Sequence, residues 1–176
     1  RTYTTPCPQC AQEMIEATDE AYRVQRAAEE RAWEQAALEK RLRQASIPAR
    51  FQSRTFDSFV ANTDPKRAAL TAAKDFAAEF ESRRKDGPTL VFSGRPGTGK
   101  SHLGCAIALA VATAGHTALY ATVRDIIRML RDTWAKDAYR TEREVLGDLI
   151  GVDLLVIDEL GVGFRSDAEK LQLFDV

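Results

Sequence analysis

An excess of charge of either sign is missing from this chain. Its 176 residues carry 25 Lys and Arg against 26 Asp and Glu, a net of −1. There is no global basic field to draw in nucleic acid, so any such contact has to come from a local surface. Long apolar runs are missing too. No stretch approaches a membrane span, and no signal-peptide pattern is visible, so no membrane partner is expected. No internal repeat or low-complexity tract occurs. Cysteine is scarce, with only Cys7, Cys10 and Cys105, and histidine is limited to His102 and His116. Cys7 and Cys10 have the C-x2-C spacing of half a zinc site, but a structural zinc needs four ligands and the chain offers no second pair. Cys105 lies in an apolar stretch and reads as a small core residue.

What is present is ordinary for a soluble globular protein: 44% apolar and 29% charged residues, enough for one domain with a proper core plus an extension. The most informative stretch is Gly94 to Ser101, GRPGTGKS. It satisfies the phosphate-binding pattern G-x-x-x-x-G-K-[ST]. Gly94, Gly97 and Gly99 permit backbone conformations that turn several N–H groups onto phosphates, with Arg95, Pro96 and Thr98 completing the loop. Lys100 supplies a cation for the β- and γ-phosphates, and Ser101 a hydroxyl for Mg2+. The loop is flanked by Thr89 to Ser93, read as a short buried strand, and by Ser101 to Ala114, read as an apolar helix whose N-terminus points at the anion. His102 closes the contact stretch, and its side chain reads as structural, facing away from the phosphates. Farther on, Asp153 to Glu159 reads DLLVIDE, a Walker B pattern. Asp158 is expected to hold Mg2+, directly or through water, and Glu159 to orient the attacking water. Together the two motifs predict an ATP- or GTP-hydrolysing fold, and with it a cytoplasmic location, where a disulfide is not expected.

Residues from about 11 to 45 contain no Gly or Pro and are rich in Ala, Glu, Arg and Gln, which predicts a polar helix. Its large apolar residues are sparse, so it bridges solvent, is held by charge pairs, or docks on a partner along a narrow stripe. Trp33 fits either a partner contact or packing back on its own domain. Ile47-Pro48 ends the helix. A connector with Phe51, Phe56 and Phe59 follows, then a helix over about 65–84 and a turn at Asp86-Gly87-Pro88. Thr117 to Thr122 is the second strand. Helices are expected from Asp125 to Lys136, Arg140 to Ile150 and Ser166 to Phe174, with a strand from Leu154 to Ile157. This order implies an α/β fold with a parallel sheet covered by helices on both faces. The chain begins at Arg1 and stops at Val176, one helix beyond the paired acids. Such sheets continue with further strands, so part of a longer protein is expected.

The paired acids favour an ATPase over a phosphate-accepting kinase, and no guanine-reading N-K-x-D occurs. SIPARFQSRTFDSF (46–59), GRPGTGKSHL (94–103) and DLLVIDELG (153–161) closely resemble the AAA+ ATPases of the DnaC-type replicative helicase loaders and their IstB-type transposition relatives. The resemblance implies a P-loop (AAA+) domain over 47–176, truncated at its C-terminal end, preceded by a partner-docking segment over 1–46. It implies ATP and Mg2+ as cofactors, and zinc if a second cysteine pair precedes Arg1. Its partners would be a hexameric replicative helicase docked on the polar helix, single-stranded DNA, and further copies of the chain through the AAA+ domain. The connector would lie by the adenine, with Phe51, Phe56 or Phe59 near the base or in ordinary core. The sensor and the arginine finger are not assignable, and Arg165 does not match a finger position. DNA would meet Arg124, Arg128, Arg131, Lys136, Arg140 and Arg143, with Trp134 and Tyr139 for stacking. The alternative is a solvated arginine face paired with Asp125, Asp132 and Glu142. Rival functions are a transposition helper that wraps duplex DNA, an ATP-binding adaptor with little turnover, and a small-molecule kinase.

Overall fold

The computed structural model describes residues 7–160, without the side chains of Cys10, Ala11 and Ile15. Gly161, Arg165 and the helix expected from Ser166 lie outside the described residues. The chain divides into two compact units, Arg1–Glu39 and Lys40–Val176.

Helix α1 runs from Pro8 to Gln44, starting three residues earlier than expected, with proline in its first turn, where a missing N–H costs nothing. In the first unit it is supported along its own length. Gln12 donates to Glu16, Gln25 donates to Glu29, and Arg26 pairs with Glu30, each one turn apart. Met14, Tyr22, Val24 and Trp33 are exposed, Trp33 by 74%.

The second unit is a parallel sheet between two helical layers. Strands β1 (Ala118–Thr122) and β2 (Leu154–Asp158) pair in parallel, from Ala118 opposite Leu154 to Thr122 opposite Asp158. Because side chains alternate across a strand, each strand feeds two cores. Ala118, Tyr120, Leu154 and Val156 join a cluster with α2 (Asp64–Ala78) and α4 (Lys100–Thr113). Leu119, Ala121, Leu155 and Ile157 join another with α5 (Val123–Asp132) and α6 (Glu142–Ile150). Both faces are therefore covered, as the near-continuous apolar strands predicted. Helix α4 approaches β2 closely, since a Cβ at Gly104 would lie 3.1 Å from Val156 Cγ1.

Three expectations need correction. Residues 89–93 form no strand ladder, because no strand among the described residues lies beside them to pair with. Nor is the segment buried throughout: Leu90 and Phe92 pack on the core while Val91 is 73% exposed. The helix expected over 65–84 breaks at Glu79, where ψ falls to 0°. A short α3 (Phe80–Arg83) and a 3-10 turn (Arg84–Asp86) follow, which turns Phe80 into the core at 4% exposure. Helix α5 starts earlier and ends sooner than expected. Thr122 and Asp125 form a reciprocal capping box at its start, and the Thr133 hydroxyl donates to the Leu130 carbonyl at its end.

The sheet's starting edge is tied by side chains. Asp153 Oδ2 accepts from the Thr117 N–H at 2.9 Å and its hydroxyl at 2.8 Å, while Oδ1 accepts from Arg84 at 2.5 Å. The end of α1 is tied as well. Arg41 donates to the Ala112 carbonyl at 3.0 Å, and the Tyr120 N–H donates to the Ala45 carbonyl at 2.9 Å. Ala45 and Ile47 are core residues.

Candidate nucleotide-binding site

The loop Gly94 to Gly99 follows residues 89–93 and leads into α4. Its three glycines have φ of 153°, 77° and 100°, all in the region that side chains disfavour. The Thr98 hydroxyl donates to the Arg95 carbonyl at 2.9 Å and braces the turn. Lys100 Nζ donates to the carbonyls of Gly94 and Arg95 at 2.9 and 3.0 Å, so the ammonium is folded back over the loop. The first N–H groups of α4 have no carbonyl inside the helix and open at this loop, where the helix dipole adds positive potential.

Ser101, on the first turn of α4, meets Asp158 at the end of β2 by a side-chain hydrogen bond. Asp158 Oδ2 also accepts from the Tyr120 hydroxyl at 2.5 Å, and Oδ1 accepts from the Glu159 N–H at 2.8 Å. Burial pushes the Asp158 carboxyl upward. The hydrogen bonds from Ser101, Tyr120 and Glu159 and the charge of Lys100 outweigh this and hold it below the usual carboxylate range. Desolvation, and then Asp158 itself, raise Tyr120 well above the ordinary phenol value. The neighbouring Cys105 thiol is fully buried and pushed up to about 12, mainly by burial and then by Asp158. It is an inert core thiol, as its apolar setting suggested. Glu159 is exposed and takes a left-handed backbone (φ 61°), uncommon for a side-chain-bearing residue and frequent at functional sites.

Ser101 and Asp158 offer hard oxygen donors side by side, which suits a cation held by one or two protein oxygens plus phosphates. No group of three or more His, Cys, Asp or Glu gathers among the described residues. Cys7 is exposed just ahead of α1, and Cys10 is in its first turn.

His102 has its Nε2 2.8 Å from the Thr55 carbonyl and 3.2 Å from Ser58 Oγ. A carbonyl only accepts, so Nε2 carries the proton. The Phe59 ring packs edge-on against His102 at 5.2 Å. It also lies where a Cβ of Gly99 would be, 2.6 Å from Cε2. His102 thus binds the connector to α4. Phe51, Phe56 and Phe59 all pack on the core cluster. Sequence reasoning assigned no role to Tyr120, Thr55 or Ser58, whose partners lie 38 to 47 residues away. The one available signal was a phenol in an otherwise apolar strand.

Of the basic residues proposed for DNA, Arg124, Arg128 and Arg131 are exposed on α5, opposite its buried Val123, Ile126, Ile127 and Leu130. Lys136, Arg143, Trp134 and Tyr139 are exposed as well. Arg140 is committed to α6, donating to Asp148 at 2.5 Å and to the Glu144 carbonyl at 3.0 Å. Asp125 serves the α5 cap rather than pairing along the arginine face.

A family model described as IstB-like ATP binding protein matches residues 12–176. The replicative helicase loader DnaC of Escherichia coli K12 is 31% identical over 166 residues, covering 94% of this chain and 66% of that protein. DnaC of Buchnera aphidicola subsp. Acyrthosiphon pisum is 34% identical over 134 residues, covering 76% and 53%. The uncharacterized protein YdaV of E. coli K12 is 31% identical over 139 residues, covering 79% and 54%. The chain therefore spans between about half and just under two thirds of these relatives. A match that runs unbroken through the connector, the phosphate loop and the paired acids makes this chain a member of the IstB-like ATP-binding family, the DnaC and IstB group that its motifs resemble.

Proposed function

We propose that the chain binds Mg·ATP and acts as the ATP-driven part of a loader for a hexameric replicative helicase on single-stranded DNA. The similarity to a replicative helicase loader over 94% of the chain carries the reading. The paired Ser101 and Asp158 beneath the phosphate loop support it. The backbone of Gly94 to Gly99, with the intervening Arg95, Pro96 and Thr98, cradles the phosphates, and Lys100 swings from its loop carbonyls to the β- and γ-phosphates. Ser101 and Asp158 hold Mg2+, which when bound offsets phosphate charge. Glu159 orients the attacking water, and the connector carrying Phe51, Phe56 and Phe59 borders the base. The protein works in the cytoplasm, and its ATPase units assemble side by side.

On this reading α1 docks the helicase, with Trp33 as an anchor. The arginine face of α5 meets the single strand, assisted by Trp134 and Tyr139. With a second cysteine pair ahead of Arg1, Cys7 and Cys10 would supply two of four zinc ligands. The test is size-exclusion chromatography with a replicative hexameric helicase, with and without ATP. Co-elution is expected. Lys100→Ala should lose ATP binding, and retained turnover in that variant refutes the site.

The matching family model favours a second reading, a helper ATPase of DNA transposition. Failure to co-elute with helicase, together with filaments on duplex DNA, would move the assignment there and leave the ATP site intact.

A further inference from the structure

Tyr120 stands out among the buried residues. It is 5% exposed and occupies the centre of β1, opposite Val156. Asp158 lies two residues farther along the neighbouring strand on the same face, a diagonal that a long aromatic side chain can span. The Tyr120 hydroxyl reaches Asp158 Oδ2 at 2.5 Å, while the Glu159 N–H holds Oδ1 at 2.8 Å. With Tyr120 on one oxygen and the Glu159 N–H on the other, the carboxylate cannot turn about its terminal bond without losing both. Phenylalanine would fill the same volume without burying a polar atom, so packing alone does not account for the hydroxyl. A neutral donor also orients the carboxylate without cancelling the negative charge that attracts a cation, as Lys or Arg would. The ring is steadied in turn: the Phe51 ring lies 6.4 Å away, and the Tyr120 N–H is bonded to Ala45.

We propose that Tyr120 is a positioning residue for the site's metal, its hydroxyl fixing the Asp158 carboxylate in the orientation that Mg·ATP requires. This rests on the nucleotide-site reading above. The test titrates Mg2+ into the full-length protein holding a fluorescent ATP analogue, with EDTA as the metal-free reference. Tyr120→Phe should bind the analogue as wild type does in EDTA, because the phosphate loop is untouched. It should need about tenfold more Mg2+ for the metal-dependent increase, as losses of a ligand's supporting hydrogen bond commonly do. In an Asp158→Asn background the same change should add nothing. Cys105→Ala, which loosens packing beside the ring, should lower the melting temperature and leave the Mg2+ midpoint unchanged. An unshifted midpoint in Tyr120→Phe, or an equal shift in the Asp158→Asn background, overturns the proposal. A wild-type protein with no Lys100-dependent binding defeats the nucleotide site itself, and this inference with it.

Discussion

At the scale of single residues, the proposed ATP site sets two neighbouring carboxylates in different surroundings. Asp158 is held charged by several donors, whereas Glu159 is exposed on a left-handed backbone next to it. Glu159→Gln should therefore keep ATP binding and slow turnover by about 100-fold or more, the usual scale for losing a general base. Phosphate release and nucleotide binding, measured on the same preparation, check this, and equal turnover contradicts the role. Asp153 has a structural task. The Thr117 N–H is the main cause lowering its carboxyl below the ordinary value. Partial burial opposes this, and the Thr117 hydroxyl with the Arg84 and His116 charges reinforce it. Because the folded value is depressed, its contribution is fully present above the unfolded value of about 3.9 and is lost as pH falls through the folded one. Asp153→Asn should cost roughly 1–3 kcal/mol at neutral pH, as expected for hydrogen bonds to a charged group. Urea melts at pH 7 and pH 3 should show the gap to wild type closing at the lower pH. A gap independent of pH would mean the charge is not the source.

At the scale of elements, the fit between Phe59 and Gly99 sets what the loop tolerates. Gly99→Ala combines a φ of 100° with a Cβ 2.6 Å from the Phe59 ring. The ring would have to leave His102, so a loss of about 1–3 kcal/mol is expected, read by thermal melting together with weakened ATP binding. Unchanged melting would show that the connector is not seated on the loop. This contact also shows where sequence reading reaches its limit. The phosphate loop, α4, both strands and the paired acids were legible because their signals are local: glycine spacing, an apolar run, a strand ending in carboxylates. The seating of the connector was not, since Thr55, Ser58 and Phe59 find partners more than 40 residues away. Residues 89–93 have the composition of a strand, but a ladder depends on a neighbour, which composition does not reveal. On α5, Arg124 and Arg128 were legible as a face because their spacing repeats the helix turn. Replacing both with Ala should lower single-strand affinity and reduce the slope of log K against log salt by about 1.4 in magnitude, roughly 0.7 per phosphate contact. An unchanged slope would assign the face to solvent.

At the scale of the whole molecule, α1 serves two units at once. Up to Glu39 it is a polar helix braced by its own i,i+4 pairs, with Trp33 exposed. From Lys40 onward the helix and the residues that follow it belong to the second unit. Arg41 bonds the Ala112 carbonyl, Ala45 is fully buried and accepts from Tyr120, and Ile47 is in the core. A truncation meant to remove only the proposed docking element therefore has to stop at Glu39. Deleting residues 11–39 should abolish co-elution with a hexameric helicase while leaving ATP binding within about twofold of wild type, because no described partner of the phosphate loop is removed. Extending the deletion to residue 45 should act differently. It removes a core alanine and the acceptor for Tyr120, so ATP binding and thermal stability should fall together. If both truncations bind ATP equally well, the segment after Lys40 is dispensable to the fold. If the shorter one still co-elutes with helicase, the docking surface lies on the second unit and not on α1.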